Sequence, residues 1–281
     1  MKPSEIKQSI SLTVLSDNHA AEGLASEHGF AVWIEVDGKN ILFDTGNASA
    51  MPLNAKALGV EMSKAGTIVL SHGHYDHSGN LRDMLKKAPL AVLYLHPAAL
   101  RQRYSIHENA KPIGMPESAV TAVSGLTEQR LKWVTAPEKI SDRIWLTGPV
   151  PRVTNYEDTG GPFFKDADGR CPDGIPDDLS LWIETDAGLV VCLGCCHSGV
   201  VNTLNYIVET SGERRIRCVL GGMHLLHAPQ ERLERTSAAL LGYNIPRVIP
   251  CHCTGEQATK FLAKVLGNTV EEGYAGLKIR V

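Results

Sequence analysis

From Leu70 to Gly79 the chain reads Leu-Ser-His-Gly-His-Tyr-Asp-His-Ser-Gly, which puts His72, His74, Asp76 and His77 within six residues. Neutral imidazoles beside a carboxylate in one turn make a ligand set for a divalent ion. The glycines at 73 and 79 let the backbone bend so that these side chains converge. One histidine here would read as a hydrogen-bonded structural residue; three with a carboxylate read as a metal site. A bound ion lowers the pKa of its water from about 15.7 to near 7, so the expected chemistry is hydrolysis or group transfer. Asp76 is the residue expected to hold or orient the attacking water.

Further donors lie in the second half. Cys192-Leu-Gly-Cys-Cys-His-Ser-Gly199 follows an apolar run, and Pro250-Cys-His-Cys-Thr-Gly255 follows another. Neither carries the C-x₂-C pair of a structural zinc site. His197 and His252 stand where strand-end ligands would lie. His224 follows a Gly-Gly turn and is expected as a ligand or a general acid. Cys195 reads either as a thiolate ligand or as a small buried residue closing a strand. Glu157 reads as a substrate or metal contact, or simply as a solvent-facing acid. No role is assigned to His19, His28, His107 or His227.

These residues need elements to hold them. Strands are expected over Ile10–Leu15, Phe30–Val36, Asn40–Asp44, Thr67–Leu70 and Leu90–Leu95, with Asp37-Gly38 as a hairpin turn. Gly79–Lys87 has helical spacing. In the second half, Leu179–Glu184, Leu189–Leu193, Ile216–Leu220 and Arg247–Ile249 read as strands. Gly199–Glu209, Gln230–Leu241 and Gln257–Leu266 read as helices, and Ala258, Phe261, Leu262 and Val265 form a stripe expected to face a sheet. Strands followed by helices in each half suggest sheets packed together with helices outside. Gly148–Asp178 is a long Gly/Pro-rich loop, expected as a lid or binding loop or else as disordered, and His96–Ser124 is a second irregular stretch. Within the loop, Asp166-Ala-Asp-Gly169 is no calcium site, because Arg170 stands where an oxygen ligand is needed.

The pattern His-x-His-x-Asp-His resembles the metallo-β-lactamase superfamily, as does the strand-end Asp44 in Leu42-Phe-Asp-Thr-Gly46. The resemblance implies an α/β fold, the four-layer αββα metallo-β-lactamase sandwich, over a single domain spanning residues 1–281. It implies one ion held by His72 and His74 and a second by Asp76 and His77, with later loops completing both. This chain departs where Leu146–Pro151 lacks the family's usual histidine, and where Gly194-Cys-Cys-His197 replaces the usual bridging aspartate. The segments EHGF (27–30), GCCHSG (194–199), GGMHL (221–225) and PCHCTG (250–255) resemble the subgroup typified by the archaeal 7,8-dihydropterin-6-methyl-4-(β-D-ribofuranosyl)aminobenzene-5′-phosphate synthase.

The cofactor expected is one or two divalent metal ions, zinc first, with iron or manganese as alternatives. The function expected is a metal-dependent hydrolase or transferase acting on a small phosphate- or diphosphate-bearing, pterin-like molecule. Lactone or thioester hydrolysis, and a non-catalytic binding protein on the same scaffold, are the rival readings. A formal charge of −3 argues against nucleic acid as the main partner. No run of 18 apolar residues suggests a membrane span, and the N-terminal segment lacks the pattern of a signal peptide. A cytoplasmic protein with a small-molecule substrate is expected, with self-association into a homo-oligomer left open. Seven cysteines, clustered as they are, read as free thiols or ligands in that compartment.

Overall fold

The computed structural model describes residues 10–281, so the expectation for the N-terminal segment falls partly outside the described residues. The first half opens with β1 (Ile10–Ser16), β2 (Ala31–Val36) and β3 (Lys39–Phe43), followed by α1 (Ala50–Ala57), β4 (Thr67–Val69), α2 (Tyr75–Ser78), α3 (Leu81–Lys87) and β5 (Val92–Leu95). The helix expected over Gly79–Lys87 is α3, which starts two residues later at Leu81, and a separate single turn, α2, carries Asp76 and His77 just before it. Leu90, expected in a strand, lies outside it and is 89% exposed.

The next stretch holds β6 (Tyr104–Ile106), β7 (Ala110–Pro112), α4 (Glu117–Ser124), β8 (Leu131–Trp133), β9 (Glu138–Ser141), β10 (Ile144–Leu146) and β11 (Phe163–Phe164). The second half continues with β12 (Ser180–Thr185), β13 (Gly188–Leu193), α5 (Val200–Ser211), β14 (Ile216–Gly222), α6 (Gln230–Tyr243), β15 (Arg247–Cys251), α7 (Glu256–Leu266) and β16 (Lys278–Arg280). Gly148–Asp178 is as irregular as its composition suggests, with only β11 inside it. His96–Ser124 is more regular than expected, because β6 and β7 are too short to show a period and α4 is only two turns long.

One sheet runs β16-β1-β2-β3-β4-β5-β8 and the other β15-β14-β13-β12-β10-β9, with β6, β7 and β11 forming a small third sheet. Strands β3, β4, β5 and β8 are parallel to one another, as are β13, β14 and β15. Alternating side chains divide the apolar residues into three cores. Leu12, Val32, Ile34 and Phe43 of the first sheet meet Leu181, Val190, Leu220 and Ile249 of the second. The outer face of the first sheet packs Trp33, Leu42 and Leu93 on Met51 of α1, Leu81 and Met84 of α3, and Val123 of α4. The outer face of the second packs Val191, Val219 and Val248 on Leu204 of α5, Leu240 of α6 and Leu262 of α7. The layers are therefore αββα, as expected. The stripe on α7 is narrower than expected: Ala258 and Leu262 are buried, while Val265 is 40% exposed.

Candidate metal centre

The donors gather where parallel strands end at their carboxyl side, the usual position for sites on such sheets. Asp44 follows β3, the His72–His77 segment follows β4, Cys195 and His197 follow β13, His224 follows β14, and His252 follows β15. Four residues of these turns, Asp44, Cys196, His224 and His252, have φ between 47° and 59° without being glycine. Such backbone is strained and survives only where its surroundings hold it, commonly at functional sites.

Hydrogen bonding fixes which ring nitrogen each histidine presents. Asp44, fully buried, accepts from the Ser71 backbone N–H at 2.7 Å, from Ser71 Oγ at 2.7 Å and from His77 Nδ1 at 2.6 Å. A carboxylate only accepts, so Ser71 donates to it and in turn accepts from His72 Nδ1 at 2.9 Å. His197 Nδ1 donates to the Thr159 carbonyl at 2.8 Å, and His252 Nδ1 to Asn18 Oδ1 at 2.8 Å. In their neutral forms His72, His77, His197 and His252 therefore all present a lone pair at Nε2.

Those lone pairs converge. His72 Nε2 and His197 Nε2 face each other at 3.3 Å, and His77 Nε2 lies 3.0 Å from Cys195 Sγ. His74 Nε2 is buried with no hydrogen-bond partner among the described residues; His252 Nε2 likewise, although Asp76 Oδ2 is 3.3 Å away out of alignment. Donor atoms of His72, His74 and His197 lie within 4.8 Å of one another, and so do those of His28, Asp76 and His252. Cys195 falls in groups with His72 and His77, with His197 and His224, and with His252 and Cys253. The His72 and His197 lone pairs face each other and that of His74 has no donor among the described residues, so these acceptors repel unless a cation sits between them, and the donor set fits divalent ions.

The electrostatics agree. Burial, aided by neighbouring imidazoles, holds His72 and His197 well below the usual histidine range; burial does the same for His74. Burial opposes ionisation of Asp76, but His77, His252 and His28 outweigh it and keep the carboxyl well below its ordinary value. Burial likewise opposes a charge on His77, yet Asp44 and Asp76 prevail and lift it to about 9. His224 is pushed down to about 3, chiefly by burial and then by His252.

Two aspartates that end the long loop tie the ligand turns together. Asp177 accepts from the Gly73 N–H at 2.8 Å and is gripped by buried Arg103 at 3.0 and 2.6 Å. Asp178 accepts from the Ser198 N–H at 2.8 Å, next to His197. A β-carbon on Gly73 would stand 2.0 Å from the Ala99 carbonyl oxygen, so only glycine fits between His72 and His74. Glu157 neither faces solvent nor reaches the donors. It is buried and accepts from the N–H groups of Val201 and Asn202 at 2.9 and 2.8 Å, which have no partner within the first turn of α5.

A cavity of about 490 Å³ opens onto the donors. Phe163 of β11 roofs it, its ring centre 5.4 Å from His74, 5.2 Å from His197 and 5.8 Å from His224. Lys111 of β7 reaches over the Tyr75 ring at 5.2 Å, and His19, His107 and His227 stand exposed at the lining. All six expected metal-site residues, His72, His74, Asp76, His77, His197 and His252, come together, and His224 joins them. His28 was missed: its Nε2 lies 3.1 Å from Asp76 Oδ2. The EHGF segment carried that signal, but nothing near it in sequence showed its partner. Cys192 and Cys251 point into the inter-sheet core, and all seven cysteines are free.

Residues 27–191 match the family model described as the metallo-β-lactamase superfamily. The chain is 28% identical to 7,8-dihydropterin-6-methyl-4-(β-D-ribofuranosyl)-aminobenzene-5′-phosphate synthase of Methanocaldococcus jannaschii, over 91% of this chain and 90% of that one. It is 31% identical to an uncharacterized protein of the same organism, over 94% and 98% of the two chains. Among solved structures it is similar to Tm1679, a metal-dependent hydrolase of the β-lactamase superfamily, with a TM-score of 0.81, 33% identity, and coverage of 97% and 99%.

Proposed function

The chain belongs to the metallo-β-lactamase superfamily, and from that premise we propose that it is a metal-dependent hydrolase or transferase acting on a small phosphate- or diphosphate-bearing molecule. The observation that carries this reading is the convergence of four Nε2 lone pairs, each set by a hydrogen bond at the opposite ring nitrogen. His72, His74 and His197 would hold one ion and Asp76, His77 and His252 the other, and Cys195 would supply a further donor. Histidine with carboxylate suits zinc, iron or manganese, and the Cys195 sulfur favours zinc or iron over manganese. A cavity of about 490 Å³ suits a small molecule. Lys111 and the surrounding histidines suit an anionic one, and similarity to a 5′-phosphate synthase supports a phosphate-bearing, pterin-like substrate. Free thiols beside the donors suit the reducing cytoplasm.

When bound, the ions supply Lewis acidity and an acidified water. The chain does the rest. Asp76, held ionised, accepts a hydrogen bond from the attacking group and fixes its direction. His224, held neutral beside Gly160, has one ring N–H to offer a leaving oxygen. Phe163 excludes bulk water from above. The test is a panel of phosphodiester, diphosphate, lactone and thioester substrates offered to metal-loaded protein and to Asp76→Asn. Turnover of the phosphate class should fall about 100-fold or more in the variant, with its fold retained by circular dichroism. Undiminished activity in Asp76→Asn would sink the assignment, and turnover confined to lactones or thioesters would redirect it.

A further inference from the structure

Beyond the metal donors, α6 begins beside the same loop that roofs them. Its N-cap is Pro229, and among the described residues no side chain caps the first turn, whose leading N–H groups point outward along the helix axis. Arg232 lies in that turn and is 1% exposed. Its Nη1 pairs with Asp158, but Nε and Nη2 are buried without a hydrogen-bond partner among the described residues. A buried guanidinium with idle donors marks a place where an acceptor belongs. Next to it is a cavity of about 280 Å³ bordered by Arg232, Asp158, Gly160, Gly161 and His227. Gly160, Gly161 and His227 also line the cavity over the metal donors, so the two spaces share one wall. That wall is thin: a β-carbon on Gly160 would stand 2.0 Å from His224 Nδ1.

We propose that this side cavity is an anion subsite that takes a phosphate group of the substrate, remote from the bond that reacts. Arg232, the first turn of α6 and His227 hold the group; a helix start and an arginine fork are the usual partners of a tetrahedral dianion. Of the acidic groups nearby, Asp158 is the one that competes for Arg232. Glu157 is engaged by Val201, Asn202 and Thr154. Glu231 pairs with Arg235 at 3.2 Å. Asp158 has a side chain 71% exposed and also accepts from the Gly160 N–H at 2.8 Å; a dianion would replace it on Arg232, releasing it to solvent. The inference deepens the phosphate reading given above and rests on it.

The test titrates inorganic phosphate calorimetrically into metal-loaded protein and the variants Arg232→Gln, Arg232→Lys, Asp158→Asn, His227→Gln and Asp76→Asn. Phosphate affinity should fall at least tenfold in Arg232→Gln and a few-fold in His227→Gln, rise in Asp158→Asn, and persist in Asp76→Asn. The exposed-site variants keep the question answerable if burial makes Arg232→Gln fold poorly, and Arg232→Lys retains the charge. With a phosphate-bearing substrate, Arg232→Gln should raise KM about tenfold while kcat stays within a few-fold. Phosphate binding lost in Asp76→Asn but unchanged in Arg232→Gln and Asp158→Asn would place the anion on the metals alone. That outcome overturns the subsite and leaves the metal-enzyme reading standing. Arginine-dependent phosphate binding with an unchanged KM would overturn it too, since the site would then serve a free anion.

Discussion

Asp44 never touches the space between the Nε2 atoms, yet it sets two of the histidines that do. It orients His77 directly and His72 through Ser71. Replacing it with Asn puts an amide donor where an acceptor is required, and metal affinity should fall about 10–100-fold. Competition with a chelator measures this, and an unchanged affinity would show that His77 keeps its tautomer without help. His77 also gives the site a pH dependence. Its pKa is raised to about 9, so below that pH the Nε2 lone pair carries a proton that an incoming ion must expel. Apparent affinity should therefore climb with pH up to about 9 and level off above it, with proton release visible by calorimetry in buffers of different ionisation heat. Cys195 predicts a spectrum. Cobalt-loaded protein should show a thiolate-to-metal charge-transfer band that vanishes in Cys195→Ser and survives in Cys196→Ser, whose parent sulfur faces Thr203. The His72–His77 donors were legible because one turn holds them all. His28 was not, because its partner lies far along the chain and only folding brings them together.

At the scale of elements, the site is a set of turns at the ends of parallel strands, and each turn has its own fastening. Glu27 shows how local these are: its carboxylate accepts from the N–H groups of Asn47, Ala48 and Ala50, pinning the turn after β3. The turn after β4 depends on the absence of a side chain at 73. Gly73→Ala would drive a methyl into the Ala99 carbonyl, and unfolding in denaturant should show a loss of about 1–3 kcal/mol together with loss of bound metal. A variant of full stability with its metal intact would mean that the Ala99 segment yields easily. Sequence reading recovered the long strands and helices, because their apolar periods are sustained. It missed α1, α4, β8, β9, β10 and β16, and also β6, β7 and β11, whose two or three residues hold no period; neither of its readings of Glu157 was the observed one, because a carboxylate that caps another segment's helix leaves no local trace. Those missed strands carry Lys111 and Phe163, so the character of the cavity was less legible than its chemistry.

Over the whole molecule the two sheets supply the donors in halves. His72, His74, Asp76 and His77 come from the first sheet's turns, and Cys195, His197, His224 and His252 from the second's. The three apolar cores exist without any ion, so the metal-free protein should remain folded but melt earlier. An ion present at 1,000 times its Kd adds about 4 kcal/mol to the folded state, and removing it should lower Tm by several degrees in calorimetry. A Tm indifferent to chelation would mean that the two halves are not bridged. His72, His77 and His197 are wholly inaccessible to solvent, and Phe163 lies across the approach to His74 and His197. An ion entering or leaving would therefore pass Phe163 through the cavity that opens onto His74, Asp76 and His252, so the roof governs how fast the ion exchanges.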